Sequence, residues 1–159
     1  MRIPLLIALS LSISAHALPP VTQAQIDSLK LPFTLEQLTA RLDEQFGQVD
    51  RPLLIGRTWE TLSVYYSFKA ARHELALLKI VEQNLRAIYA LDRQRQEKAE
   101  VSDTEVLLRH NSLLSQQIAV HKKQKECRSQ LLKIFQLCHV EIIYEHNEKS
   151  SIAQSHDRF

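Results

Sequence analysis

The chain has 159 residues, of which 45% are hydrophobic and 24% charged, with 2 Gly, 5 Pro and 2 Cys. That much apolar content excludes a disordered chain, and the length holds one domain. The formal charge of +2 gives no electrostatic case for nucleic acid. All five prolines lie between Pro4 and Pro52, and residues 53–159 contain one glycine, Gly56. Folds rich in tight turns, such as β-sandwiches and Rossmann-like sheets, are therefore excluded, and long helix remains.

Met1-Arg2, the apolar run Ile3 to Ile13 and Ala15-His16-Ala17 have the form of a secretory signal peptide cut after Ala17. The run is shorter than the ~20 apolar residues that span a bilayer. Cleavage would remove Arg2 and no acid, leaving 19 basic against 18 acidic residues. The expected compartment is the periplasm, in association with the outer membrane, and no later segment has the length of a transmembrane helix.

Residues 18–33 read as an extended, Pro-bounded lead. Thr34 and Gln37 then form a capping box, with Phe33 and Leu38 placed as a hydrophobic staple. Leu35, Leu38, Leu42 and Phe46 make one stripe of a short helix over about 34–46, with Gly47 just past its end. Asp50-Arg51-Pro52 and Gly56 mark a loop.

From about Thr58 to Gln96 nothing interrupts a helix. Its apolar stripe is read as Trp59, Leu62, Tyr66 and Ala70, continuing through Leu75, Leu78, Val81, Leu85 and Ile88. Ser102 and Glu105 form a further capping box with Val101 and Val106 as its staple. Asp103 and Glu105 put acid in the first turn, so a new helix starts there despite the lack of Gly or Pro. It runs to about Leu137 on a seam of Val106, Leu113, Val120, Cys127, Leu131 and Ile134. The intervening positions His110, Gln117 and Gln124 are polar.

Two long helices with a short connection make an antiparallel hairpin. With the turn near residue 100, residue n faces about 200 − n. One end gathers Trp59, Tyr65, Tyr66, Phe68, Leu131, Ile134 and Phe135, and the short helix is expected to pack on this base. The other end is a charged tip. The fold class is thus all-α: a long antiparallel hairpin over residues 34–138 with the N-terminal helix at its base. Residues 139–159 read as a short extended segment, from the alternation of Val140, Ile142 and Tyr144, followed by a disordered tail.

The two cysteines fall on the apolar stripe, where buried thiols are the ordinary expectation. Cys127 and Cys138 are also the one pair a disulfide could join. Eleven residues of straight helix separate them by about 16 Å. A bond needs Cα atoms within roughly 7 Å, so the helix would have to end near Phe135 and the chain fold back.

No catalytic pattern is complete. His73-Glu74 opens a zinc-protease motif, but its second ligand position is Leu77. No nucleophile elbow and no phosphate loop can be built, and the Cys/His spacing matches no zinc site. No cofactor, metal or catalytic residue is expected. Lys122, Lys123, Lys125 and Arg128 form a basic patch on the last helix.

Several segments, in order and over about residues 33–137, resemble the TolC-type outer-membrane efflux and secretion proteins. Phe33-Thr34-Leu35-Glu36-Gln37 is similar to that family's opening helix. Tyr65-Tyr66 with Ala70-Ala71-Arg72 is similar to the start of its first long helix. Glu100-Val101-Ser102-Asp103-Thr104-Glu105-Val106-Leu107 resembles its hairpin turn, with Ala99 where the family has glycine and Glu105 where it has Asp. Leu131-Leu132-Lys133-Ile134 resembles the return end. The family chain is longer, with two hairpin repeats and barrel strands; this chain has one hairpin, so the resemblance implies a shortened relative.

The resemblance implies a non-enzymatic envelope protein, corresponding to one family repeat, that joins a transport or secretion complex through its hairpin. The partner-binding tip would be Ala99, Glu100, Val101, Ser102, Asp103, Glu105 and Val106. Its partners would be a periplasmic adaptor or channel subunits, in a homo- or hetero-oligomer. The alternative is a small periplasmic chaperone similar to Spy, suited by the length, the helical content and the Thr-x-x-Gln at Thr34 and Gln37. A metal or redox sensor built on the Cys/His set is a third reading.

Overall fold

The computed structural model describes residues 18–48 and 50–144. The leader expected at 1–17 and the tail beyond 144 lie outside the described residues. In chain order the elements are β1 (Val21–Thr22), α1 (Gln23–Asp27), α2 (Leu35–Phe46), α3 (Arg51–Glu97), α4 (Asp103–Leu137) and β2 (Ile142–Ile143). Two long helices pack antiparallel as a hairpin, with α2 on its base, and there is almost no strand among the described residues. At 1.5 Å per residue α3 is about 70 Å long and α4 about 52 Å.

Caps set the starts of the helices. At α2 the Gln37 N–H donates to Thr34 Oγ1 at 3.3 Å, and Gln37 Oε1 accepts from the Thr34 N–H at 2.8 Å. The residues read as an extended lead use the same device. Thr22 and Gln25 exchange the same two bonds at 3.3 and 2.8 Å, and α1 forms behind them. The lead is therefore a short strand and a helical turn rather than extended throughout.

The loop expected around Pro52 and Gly56 is also helical. Asp50 Oδ1 accepts from the Leu53 N–H at 3.0 Å and caps α3, and Pro52 occupies the first turn. A proline there forfeits no helical bond, because first-turn N–H groups have no partner within the helix. Gly47 ends α2 at φ −61°, not in the left-handed region. A Cβ there would stand 2.5 Å from the Asp43 carbonyl oxygen, so close approach rather than torsion accounts for the glycine.

The core lies at the base. Ile26, Leu38 and Leu42 from the N-terminal elements are fully buried with Phe68 of α3 and Leu131, Ile134, Phe135 and Cys138 at the end of α4. The Phe33 and Phe135 rings meet edge to face at 6.2 Å. β1 and β2 pair in parallel, Val21 opposite Ile142, and the Val21 N–H donates to the Glu141 carbonyl at 2.9 Å. This clasp ties the two ends of the described chain together and covers the core.

Gly56 is a helix-interior residue with nothing within 4 Å of an added Cβ. Gly56→Ala is expected to raise stability by about 1 kcal/mol, the helix-propensity difference, measured by urea unfolding. Destabilisation would mean that α3 does not run through this position.

Candidate functional site

The seam of the hairpin repeats every seven residues. On α4 it runs Val106, Leu113, Val120, Cys127 and Ile134, with His110, Gln117 and Gln124 between them, as the sequence pattern predicts. On α3 the buried seam is Thr61, Val64, Phe68, Ala71 and Leu75. It continues through half-buried Leu78, Glu82, Leu85, Tyr89 and Asp92. Alternating steps of 3 and 4 average 3.5 residues per turn, the period of a left-handed coiled coil.

Above Leu75 polar side chains bridge the two helices. Gln116 Nε2 donates to the Leu78 carbonyl at 2.8 Å, and Gln117 Nε2 to Glu82 Oε1 at 3.5 Å. Tyr89 stacks on His110 with ring centroids 5.1 Å apart. Arg109 reaches Asp92 at 3.3 Å, and Lys123 reaches Glu74 at 2.8 Å. The Tyr89–His110 and Glu82–Gln117 pairs fall within one residue of the expected pairing.

At the tip, α3 closes with two bonds. The Ala99 N–H donates to the Gln96 carbonyl at 2.8 Å and the Glu100 N–H to the Arg95 carbonyl at 2.9 Å, a Schellman ending. It places Ala99 at φ 57°, in the left-handed region that favours glycine. Three residues on, Ser102 caps α4. The Glu105 N–H donates to Ser102 Oγ at 3.3 Å, while Glu105 Oε2 accepts from the Ser102 N–H at 3.0 Å. The Ser102 N–H, and then its hydroxyl, hold the Glu105 carboxyl below the usual glutamate range. Gln96 Nε2 donates to Asp103 Oδ1 at 2.6 Å, and Arg95 pairs with Glu100 at 3.4 Å.

The expected tip residues are thus brought together, but in different roles. Glu105 is a cap, Asp103 and Glu100 are engaged within the turn, and Val106 is buried in the seam. Ala99, Glu100, Ser102 and Asp103 are exposed, as is Thr104.

Helix α3 also carries an outer apolar face that the sequence reading merged with the seam. Trp59, Tyr66, Val81 and Ile88, all read as seam residues, are exposed, from 40% at Ile88 to 70% at Trp59. With Ile55, Leu77, Ile80 and Leu91 they form an outer face with a mean step of 3.6; Val81 and Ile88 flank the seam, four residues from Leu85 and Asp92, and the others lie on the side away from it. Trp59 and Tyr66 accordingly do not join the base core, whereas Phe68, Leu131, Ile134 and Phe135 do.

Both cysteines are free and buried. The helix continues past Phe135 to Leu137, so the fold-back that a Cys127–Cys138 bridge needs is absent and the bridge is not made. Burial pushes the Cys138 thiol up to about 11 and raises that of Cys127. Among the described residues no group of three or more His, Cys, Asp or Glu could hold a metal ion. A shallow groove of about 650 Å³ beside the polar seam, lined by Lys79, Arg86, Gln117, His121 and Gln124, is open to solvent. The basic patch is partly neutralised: Lys123 pairs with Glu126 and Glu74, and Arg128 with Asp27.

No family model matches the chain, and neither a curated protein nor a solved structure matches it. No helix among the described residues is long and apolar enough to cross a membrane.

Two measurements follow from this geometry. Ala99→Gly is expected to stabilise the fold by roughly 0.5–1 kcal/mol, relief of left-handed strain less the entropy of a freer unfolded chain. Thermal unfolding reads it, and a lower midpoint would contradict the torsion. Native Cys138 is expected to react with iodoacetamide at least about 100-fold more slowly than an unperturbed thiol, and both cysteines to label in denaturant. Rapid native labelling would mean that the base is open.

Proposed function

We propose that the chain is a non-enzymatic envelope protein that works by docking, presenting the tip of its hairpin to a transport or secretion complex. It would stand to that complex as one repeat of a TolC-type factor, which its motifs at 33–37, 65–72, 99–107 and 131–134 resemble. The observation that carries this reading is the position of the tip. The fully buried side chains cluster at the base. The rod extends about 33 Å from Leu75 to Glu97, yet its reversal is held by a Schellman ending and a capping box. A rigid end so far from the core contributes little to stability and is well placed to meet a partner. The TolC-type resemblance favours an adaptor or channel subunit as that partner.

A second reading, a periplasmic chaperone, is favoured by the exposed apolar stripe on α3. A chaperone would keep a reduced, unfolding client soluble at near-equal molar ratio, whereas a docking protein would not.

The test uses the exposed tip without touching its caps. A photo-crosslinking residue in place of Thr104 is expected to join the chain to an envelope transport component in cells, and one in place of Ser63, near the base, is not. Glu100→Lys should reduce the adduct several-fold with helicity unchanged by circular dichroism. Failure of position 104 to crosslink, or equal yields from 63 and 104, would remove the docking role.

A further inference from the structure

Among the described residues, most of the exposed large apolar side chains lie on the outer stripe of α3. Between Tyr66 and Leu91 it follows a second heptad register, offset from the seam. Core positions are Tyr66, Ala70, His73, Leu77, Ile80, Asn84, Ala87 and Leu91, with Val81 and Ile88 beside them. Weighting the exposed fractions of the six large apolar residues from Tyr66 to Leu91 by an aromatic side chain's ~200 Å² bounds the apolar area at roughly 600 Å² per protomer. A standard interface buries about 800 Å² per partner, so the stripe supplies the apolar part of a small one and the flanking polar side chains supply the rest.

Two polar features name the occupant. Asn84 is the polar residue at one series of core positions, between Leu77 and Leu91. An asparagine there fixes register in parallel pairs by meeting its own copy across the interface. Lys69 and Glu74 flank the stripe on opposite sides, five residues apart. In a parallel pair that spacing places Lys69 of one chain beside Glu74 of the other, and reciprocally. In an antiparallel pair centred on the stripe, residue n meets about 157 − n, which sets Glu74 against Gln83 and Asn84 against His73, so neither match forms. Glu74 is 56% exposed in its pair with Lys123, and Lys123 holds a second acid, Glu126, at 2.7 Å. The carboxylate can therefore face a second cation without orphaning the first.

From this we infer that α3 pairs in parallel with α3 of a second copy of this chain, through the stripe from Tyr66 to Leu91. The pairing places both tips at the same end. It is independent of what the tip binds, because it uses the outer face of α3.

Sedimentation equilibrium of the purified full chain at micromolar concentration is expected to give twice the 18.4 kDa of one chain. Leu77→Asp, at an exposed position, should weaken association about ten-fold or more with helicity intact. Asn84→Cys should form a covalent dimer under mild oxidation, joined through position 84 of both chains. Lys69→Glu should weaken the dimer, and Lys69→Glu/Glu74→Lys should restore it. A monomer at these concentrations, a dimer indifferent to Leu77→Asp, or a dimer that does not crosslink through position 84 would each overturn the inference. Loss of the tip crosslink at Thr104 would leave it untouched, so the two proposals fail separately.

Discussion

Between Glu97 and Asp103 the chain has only Lys98 to Ser102 in which to reverse, with neither glycine nor proline among them. The reversal holds because the two helix ends satisfy their own orphan groups. The last carbonyls of α3 accept from Ala99 and Glu100, and at the start of α4 the Glu105 and Ser102 amides each donate to the other's side chain. Without those bonds, helix would continue through a segment of strong helix formers, and no seam would exist. Once they form, α4 can only return along α3, and the heptad registers of the two helices fix which residues meet.

Where a cap has a side-chain signature, the sequence was legible. Thr34 with Gln37 and Ser102 with Glu105 marked helix starts within a residue of those found. Thr22 with Gln25 carries the same signature and does the same work, but behind Pro19-Pro20 and ahead of only five helical residues the segment reads as extended. Left-handed endings have no comparable mark when glycine is absent. Leu29, Ala99 and His139 all adopt positive φ at helix ends, while the two glycines do not. Tertiary contacts settle these ends: Val140 is pulled back to the Phe135 carbonyl because both residues are buried in the base.

The misreading of α3 has a physical origin in its two periods. The seam repeats at 3.5 residues and the outer stripe at 3.6, so both look helical over any short window. The outer stripe is the more apolar of the two above Leu78, where the seam carries Glu82 and Asp92. A reading that follows hydrophobicity starts on the outer face at Trp59, crosses to the seam at Leu75 and returns outward at Val81 and Ile88. The step of five between Ala70 and Leu75 was the trace of that crossing. On α4 the polar intruders His110, Gln117 and Gln124 share one face with the buried apolar series, so sequence period and seam coincide.

The same division governs how the rod behaves. At the base, burial is complete and the β1–β2 clasp closes the chain on itself. Above Leu75 the α3–α4 seam is held by Leu113, Val106 and half-buried Leu78 and Leu85, together with polar bridges such as Glu82–Gln117 and Asp92–Arg109. Bridges of this kind, each with one partner largely open to solvent or uncharged, contribute about 1 kcal/mol each. The free energy of local opening therefore falls from base to tip, since it follows buried apolar contact. A helix laid along the outer stripe would bury Leu77, Ile80 and Leu91, which solvent now meets on the weakly held half. Self-pairing would thus stiffen the segment that positions the tip. A docking end on an otherwise compliant rod pays ordering entropy each time it binds, and a rod already ordered by its twin pays less.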